Sequence, residues 1–278
     1  MNPAFLVVLL SLAPAILAAQ TGKSGPSSSV QAVPLTRVVK IPMVLYTGEG
    51  AGTTTLALAP AVSKGAEDEL PEGPDGFNVL DDGTIVLTDP LEERLMFFSS
   101  EGKFLKAWEI GFSADSVDVV KDDILSVRDA QTGEVHGFDR EGKPRAAPTT
   151  LLPASAKLTS PTSGLVTVPR QSAEEEHSFG ISIDRPGLRL VSLQVVGRDQ
   201  DGSFYIAVET TKAASGDEID LKKSVRRYSA SGTLVSETDD LPLSYYIPPI
   251  DELRVRKGTV YQLMTVPSEV RINLWKMN

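Results

Sequence analysis

A short polar turn followed by a strand-like run occurs five times in this chain, and that recurrence restricts the fold more than any other feature. In "DDGTIVLTD", residues 81–89, Gly83 closes the turn. "KDDILSVRD" places Asp123 at the same point, "PTSGLVTVP" Gly164, "QDGSFYIAV" Gly202 and "VRKGTVYQL" Gly258, at intervals of 40, 41, 38 and 56 residues. The run after each turn is rich in β-branched or aromatic residues, as buried strands are. A second turn follows in the first four copies, at Gly102, Gly142, Gly187 and Gly232. Four residues before each of these glycines stands a bulky side chain: Phe98, Phe138, Ile183 and Tyr228. The fifth copy reaches the equivalent aromatic at Trp275.

Each unit therefore reads as four antiparallel strands. In the first they are "GFNVL", "TIVLTD", "RLMFFSS" and "FLKAWEI". Four strands at a period near 40 make a propeller blade, which buries its faces against its neighbours around a central channel. The expected fold is an all-β β-propeller of four-stranded antiparallel blades. Five blades are countable, and residues 46–75, with the strand-like "TTTLALA", leave room for a sixth. "SKGAEDELPEGP" reads as a connecting loop. The spacing grows in one loop only, from "PLEE" in the first copy to "TTKAASGDEIDLKK" in the fourth, as repeat architectures allow. The last copy lacks its fourth strand, and "LTRVVKIPMVL", residues 35–45, is a free β-rich segment at the other end. Its pairing outside "VRINLWK" would close the ring. A β-sandwich of regular hairpins is the competing reading, and the shared phase of five turns favours the propeller.

Residues 74–105 resemble the NHL repeat family of β-propellers. The matching features are Gly76-Phe77, Asp82-Gly83, Asp89 at a strand end, Arg94 opening the third strand, then Phe98, Gly102 and Phe104. The pattern fades afterwards: Glu134 and Ser224 replace the arginine in copies two and four, and copy three has Pro169-Arg170 where the strand-end acid belongs. The resemblance implies the fold and little of the function, because propellers host unrelated activities.

The chain ends and the charge narrow the classes. Residues 1–19 carry an apolar run ending in small residues and broken by Pro14, which reads as a signal peptide. Residues 20–33 read as a flexible tether and 34–278 as a single propeller domain. The chain is then exported, periplasmic or extracellular, with no membrane span in the mature part. Its 278 residues carry a net charge of −10. An acidic surface without basic runs repels phosphate backbones, so nucleic acid is not an expected partner. The absence of cysteine excludes disulfides, thiol nucleophiles and cysteine-ligated zinc. With only His136 and His177, a site of three histidines is excluded as well.

Candidate sites follow from the propeller geometry. First strands line the channel, and alignment on the turn glycines gives Asn78, Asp118, Thr159, Gly197 and Leu253 as mid-strand residues. Asn78 and Asp118 are hard oxygen donors on adjacent blades and the candidates for a channel Ca²⁺, an ion that takes six to eight oxygens. On the rim stand the strand-end acids Asp89 and Asp129, a charged hairpin tip around His177, and Tyr245 and Tyr246 before a Pro-Pro turn. Loop aromatics give contact area at low entropic cost; inter-blade tyrosines also plug into the core. No GxSxG elbow, phosphate loop or HExxH motif occurs. The expected function is a non-enzymatic propeller, a monomer without cofactor, that binds a protein or small-molecule ligand on one rim. The alternative is a metal-dependent propeller hydrolase or lyase with a divalent cation at the channel.

Overall fold

The computed structural model describes residues 30–48, 50–59, 71–120, 124–147, 155–169, 176–183, 186–212, 220–243, 246–247 and 249–277. The expected signal peptide, residues 20–29 of the tether and Tyr245 lie outside these. The regular secondary structure of the described residues is strand, apart from one three-residue 3-10 turn at Pro90–Glu92. Among the described residues no helix is long and apolar enough to cross a membrane.

In chain order the strands begin with β1 (Gln31–Val33), β2 (Arg37–Leu45) and β3 (Leu56–Leu58). Blade 1 comprises β4 (Phe77–Val79), β5 (Ile85–Asp89), β6 (Arg94–Phe98) and β7 (Phe104–Glu109). Blade 2 has β8 (Ala114–Val119), β9 (Leu125–Asp129), β10 (Val135–Phe138) and β11 (Pro144–Arg145). Blade 3 has β12 (Ser155–Ser160), β13 (Ser163–Pro169) and β14 (Glu176–Ser182). Blade 4 has β15 (Leu188–Arg198), β16 (Phe204–Lys212), β17 (Asp220–Tyr228) and β18 (Leu234–Thr238). β19 (Leu253–Arg256), β20 (Thr259–Val266) and β21 (Glu269–Lys276) begin blade 5.

β2 completes blade 5. It runs antiparallel to β21, with Val39 opposite Ile272 and Ile41 opposite Val270. Alternate residues Val39, Ile41 and Met43 are buried, so the period-two pattern of the N-terminal run turns one face into the core. Four-stranded antiparallel blades and closure by the N-terminal strand are thus present. The strand-like "TTTLALA" contributes β3, but β3 pairs parallel to β2 and extends blade 5; no sixth blade forms among the described residues. The last residues expected as tether, Gln31–Val33, pair parallel with β18 on the outside of blade 4.

Blade 3 departs from the expected four strands. The segment after Gly187 does not return along β14; it runs on as β15, an eleven-residue strand paired with β16. Gly164 likewise lies within β13 rather than in the preceding turn. A Cβ there would run into the Leu193 side chain, so that glycine serves close packing of blade 3 on blade 4.

Strands such as β5 and β6 are buried along their whole length, because a blade is covered on both faces. Their sequences therefore carry unbroken apolar runs, 85–87 and 95–98, rather than alternating ones. Four apolar clusters fill junctions between blades, among them Phe77, Leu87, Leu263 and Ile272 between blades 5 and 1, and Phe97, Val117 and Val127 between blades 1 and 2. At the hairpin under β2, Gly102 has φ 81° and no room for a Cβ, which would meet the Lys40 carbonyl at 2.9 Å. The inner strands follow one another across four of the five blade junctions: β12 packs beside β15, β15 beside β19, β19 beside β4 and β4 beside β8.

Candidate functional site

The polar groups of the inner strands converge where blades 5, 1 and 2 meet. Blade 2 prepares this corner with a bulge. Ala114 pairs with Asp129 and Ser116 with Arg128, leaving Asp115 as the extra residue. Such a bulge re-aims side chains; here Asp115 accepts a 2.8 Å hydrogen bond from Arg128 Nε, and Ser116 donates to Asp251 of blade 5. Gly76 lets the two inner strands approach, since a Cβ there would lie 2.6 Å from the Asp115 carbonyl oxygen.

Arg254 of β19 ties the corner together. Its Nε donates to the Phe77 carbonyl at 3.1 Å, and its Nη2 lies 2.7 Å from Asp251 and 3.2 Å from Asp118. Neither carboxylate aligns with Nη2 as a hydrogen bond, so these are charge contacts. Two residues on, Arg256 Nε donates to the Val79 carbonyl at 2.9 Å, and Lys257 reaches the Asp81 carbonyl at 2.8 Å. Cations of the last blade thus cap carbonyls of the first along the seam of the ring.

The electrostatics follow from burial and pairing. Burial works against ionisation of Asp251, but Arg254, helped by Ser116, outweighs it and holds the carboxyl below its usual range. Asp75, just before β4, shows the opposite balance. Burial and the nearby Asp115 carboxylate push it up to about 7, against a weak hydrogen bond from Thr88. Two charges remain open to solvent: Asp118 at 61% side-chain exposure and Arg128 at 41%, each held by a more buried partner.

The residues expected from sequence are scattered by comparison. Asn78 and Asp118 sit on adjoining inner strands without forming a shared ligand set. Asn78 is buried, its Nδ2 donating to the Val117 carbonyl at 3.0 Å and its Oδ1 accepting from the Val79 amide at 2.8 Å. Asp118 faces Arg254, whose charge opposes a cation there. Among the described residues no group of three or more His, Asp or Glu side chains is placed to hold a metal ion.

Asp89 is fully buried and paired with Arg94, whose Nε lies 2.9 Å from Oδ2. Burial pushes its carboxyl up to about 6, with Arg94 opposing the rise. The same guanidinium donates to the Gly52 and Thr55 carbonyls, and the Ala51 amide donates to Glu92. The glycine-rich "GEGAGTT" segment is thereby fastened over blade 1. Asp129 accepts from the Gln131 and Thr132 amides, which hold its carboxyl low and shape the turn after β9. Tyr246 is half-buried against the core between blades 5 and 1. Glu176 and His177 open β14.

Sequence reasoning passed over Arg254 because the alignment on turn glycines set Leu253 at mid-channel. Leu253 is instead buried in the core between blades 4 and 5. A slip of one residue exchanges the two faces of a strand. The signal that could have corrected it was present in "DELRVR", where Arg254 and Arg256 recur at a period of two beside Asp251.

No family model matches the chain, and no curated protein matches it. Solved structures are similar to it only at low identity and low TM-score. A member of the DUF4221 family from Bacteroides vulgatus is 11% identical, covering 90% of this chain and 99% of that one, with a TM-score of 0.35. A gluconolactonase from Xanthomonas campestris is 12% identical over 87% and 98% of the two chains, with a TM-score of 0.33. Virginiamycin B lyase from Staphylococcus aureus is 11% identical over 73% and 94%, with a TM-score of 0.32. The propeller assignment itself rests on the blades described above.

Proposed function

We propose that the protein is an exported, non-enzymatic propeller that binds a protein or small ligand at the channel mouth formed by blades 5, 1 and 2. The observation that carries this reading is the network Arg128–Asp115 and Ser116–Asp251–Arg254–Asp118, which fixes one carboxylate and one guanidinium at a solvent-facing corner. Groups held by rigid strands and paired behind bind without first being ordered, which lowers the cost of association. An acidic chain also draws cationic partners from a distance and favours them by charge. Export is supported by the apolar leader ending in small residues.

The test is quantitative recovery of bound material from an envelope extract by the wild type and by Asp118→Ala/Arg128→Ala. Asp118 is exposed and Arg128 partly exposed, so folding should survive, and matching thermal unfolding will verify it. Material held by the wild type and lost by the double variant supports the mouth as the binding surface. Equal recovery by both proteins sinks it.

A further inference from the structure

Blade 3 ends at β14 and has no fourth strand among the described residues. The face of blade 4 turned towards it can be read from β17, whose pairing with β16 runs without a bulge, so that its side chains alternate. Val225 packs with Leu253 of blade 5, whereas Tyr228 packs with Val166 and Ile181 of blade 3. Lys222, Ser224 and Arg226 share the face of Tyr228. Beside them, where β18 and β1 complete the blade, lies a cavity of about 250 Å³.

The charges around the cavity fall on two walls. β17 supplies the cations Lys222 and Arg226, and the end of β18 with the residues after it supplies Glu237, Asp239 and Asp240. The ammonium of Lys223 is turned to the other side of the strand, where Glu209 and Glu252 hold it. The buried part is fixed. Arg226, 6% exposed, donates from Nε to Glu237 at 3.1 Å and from Nη1 to the Ser182 carbonyl at 3.3 Å. Ser224 donates to the same Glu237 oxygen at 2.9 Å. Nearer the solvent, Lys222 and Asp240 are half exposed and 3.9 Å apart, a loose ion pair. The Asp239 amide donates to the Val33 carbonyl at 3.0 Å, which pins the backbone of that acid beside β1. The third wall is apolar, with Val30, Ala32 and Leu188.

These walls select by charge. A simple anion would face the three carboxylates and a simple cation the two cationic side chains, and like charges brought together disfavour the wrong ligand. A molecule carrying both signs close together meets each wall with its opposite, and an apolar group attached to it has the third wall. The volume lies below the range of about 300–1,000 Å³ that suits drug-sized ligands. We infer that the cavity binds a free α-amino acid with an aliphatic side chain, its carboxylate at Lys222 and its ammonium at Asp239, in front of the Arg226–Glu237 pair. The site lies on the outer strands of blade 4 and is separate from the channel mouth.

Equilibrium dialysis of the full chain against radiolabelled L-leucine tests it, with unlabelled L-valine, N-acetyl-L-leucine and L-leucinamide as competitors. N-acetyl-L-leucine keeps only the negative charge and L-leucinamide only the positive one. The expected result is one leucine held per chain and displaced by valine, with both derivatives weaker competitors by about tenfold or more, the effect of one charged hydrogen bond. Lys222→Ala and Asp239→Asn should each weaken leucine binding by about tenfold. Both side chains are exposed, so thermal unfolding should stay unchanged. Asp118→Ala/Arg128→Ala should hold leucine as the wild type does. No leucine retained at millimolar concentration overturns the inference, as does competition by either derivative as strong as that of leucine itself. Retention indifferent to both blade-4 variants, or lost only in Asp118→Ala/Arg128→Ala, overturns it as well, the last by moving the ligand to the mouth.

Discussion

Arg94 shows how one side chain can hold three parts of the molecule. It neutralises the buried Asp89 and caps the Gly52 and Thr55 carbonyls, joining the N-terminal segment to blade 1. Removing one partner of a buried pair leaves the other charge unpaired, at a cost of about 3–5 kcal/mol. Arg94→Met keeps the apolar stem and should lose stability of that order in chemical denaturation; a loss below about 1 kcal/mol would contradict the account. Asp75 makes a pH-dependent prediction. Its folded pKa of about 7 stands above the ordinary 3.8, so the folded chain binds the extra proton. The contribution to stability is full below the ordinary value and disappears as pH rises through about 7. Asp75→Asn should therefore melt at the same temperature as the wild type near pH 4 and a few degrees higher near pH 8, at roughly 2–4 °C per kcal/mol for a chain of this size. A gap that is the same at both pH values would show that Asp75 does not titrate in this window.

Among elements, the strand that closes the ring was the most legible in the sequence. β2 alternates buried and exposed residues over seven of its nine positions, and the fifth copy offered a place for it. The chain lacks cysteine, so a pair of new ones reports on register without interference. Lys40 lies opposite Arg271. The Lys40→Cys/Arg271→Cys variant should form an intramolecular disulfide and gain about 2–4 kcal/mol. Free thiols, or only intermolecular bridges, would place β2 elsewhere. Blade 3 was legible only in part, because its glycines resemble those of the other copies while serving other ends. Gly164 answers a side chain of blade 4 rather than a turn, and the run after Gly187 has two possible partners that local pattern cannot distinguish. The mouth was obscured for a related reason. Asp118 could be named from the second copy, but its partner Arg254 lies in another blade, 136 residues on. Alignment by turn glycines left that strand one residue out of phase.

At the scale of the whole molecule, the ring joins a structural seam to a candidate binding corner. Arg254 and Arg256 close blade 5 on blade 1 through backbone carbonyls, and the same Arg254 orients Asp251 and Asp118 at the mouth. That arrangement opposes a channel cation. After EDTA treatment, millimolar Ca²⁺ is expected to leave the melting temperature unchanged, since an ion bound to the folded state would raise it. A rise of several degrees that vanishes in Asp118→Ala would favour the metal-dependent alternative. The central claim is that ligands dock at the mouth, and site-specific photo-crosslinking in the producing cells tests it most directly. A photoreactive residue at position 118 would be compared with one at Leu105, which is 52% exposed on the outer strand of blade 1. A discrete adduct from position 118 and none from position 105 is the expected result. Adducts from position 105 alone, or the same adducts from both, would contradict the claim and move the binding surface away from the channel mouth.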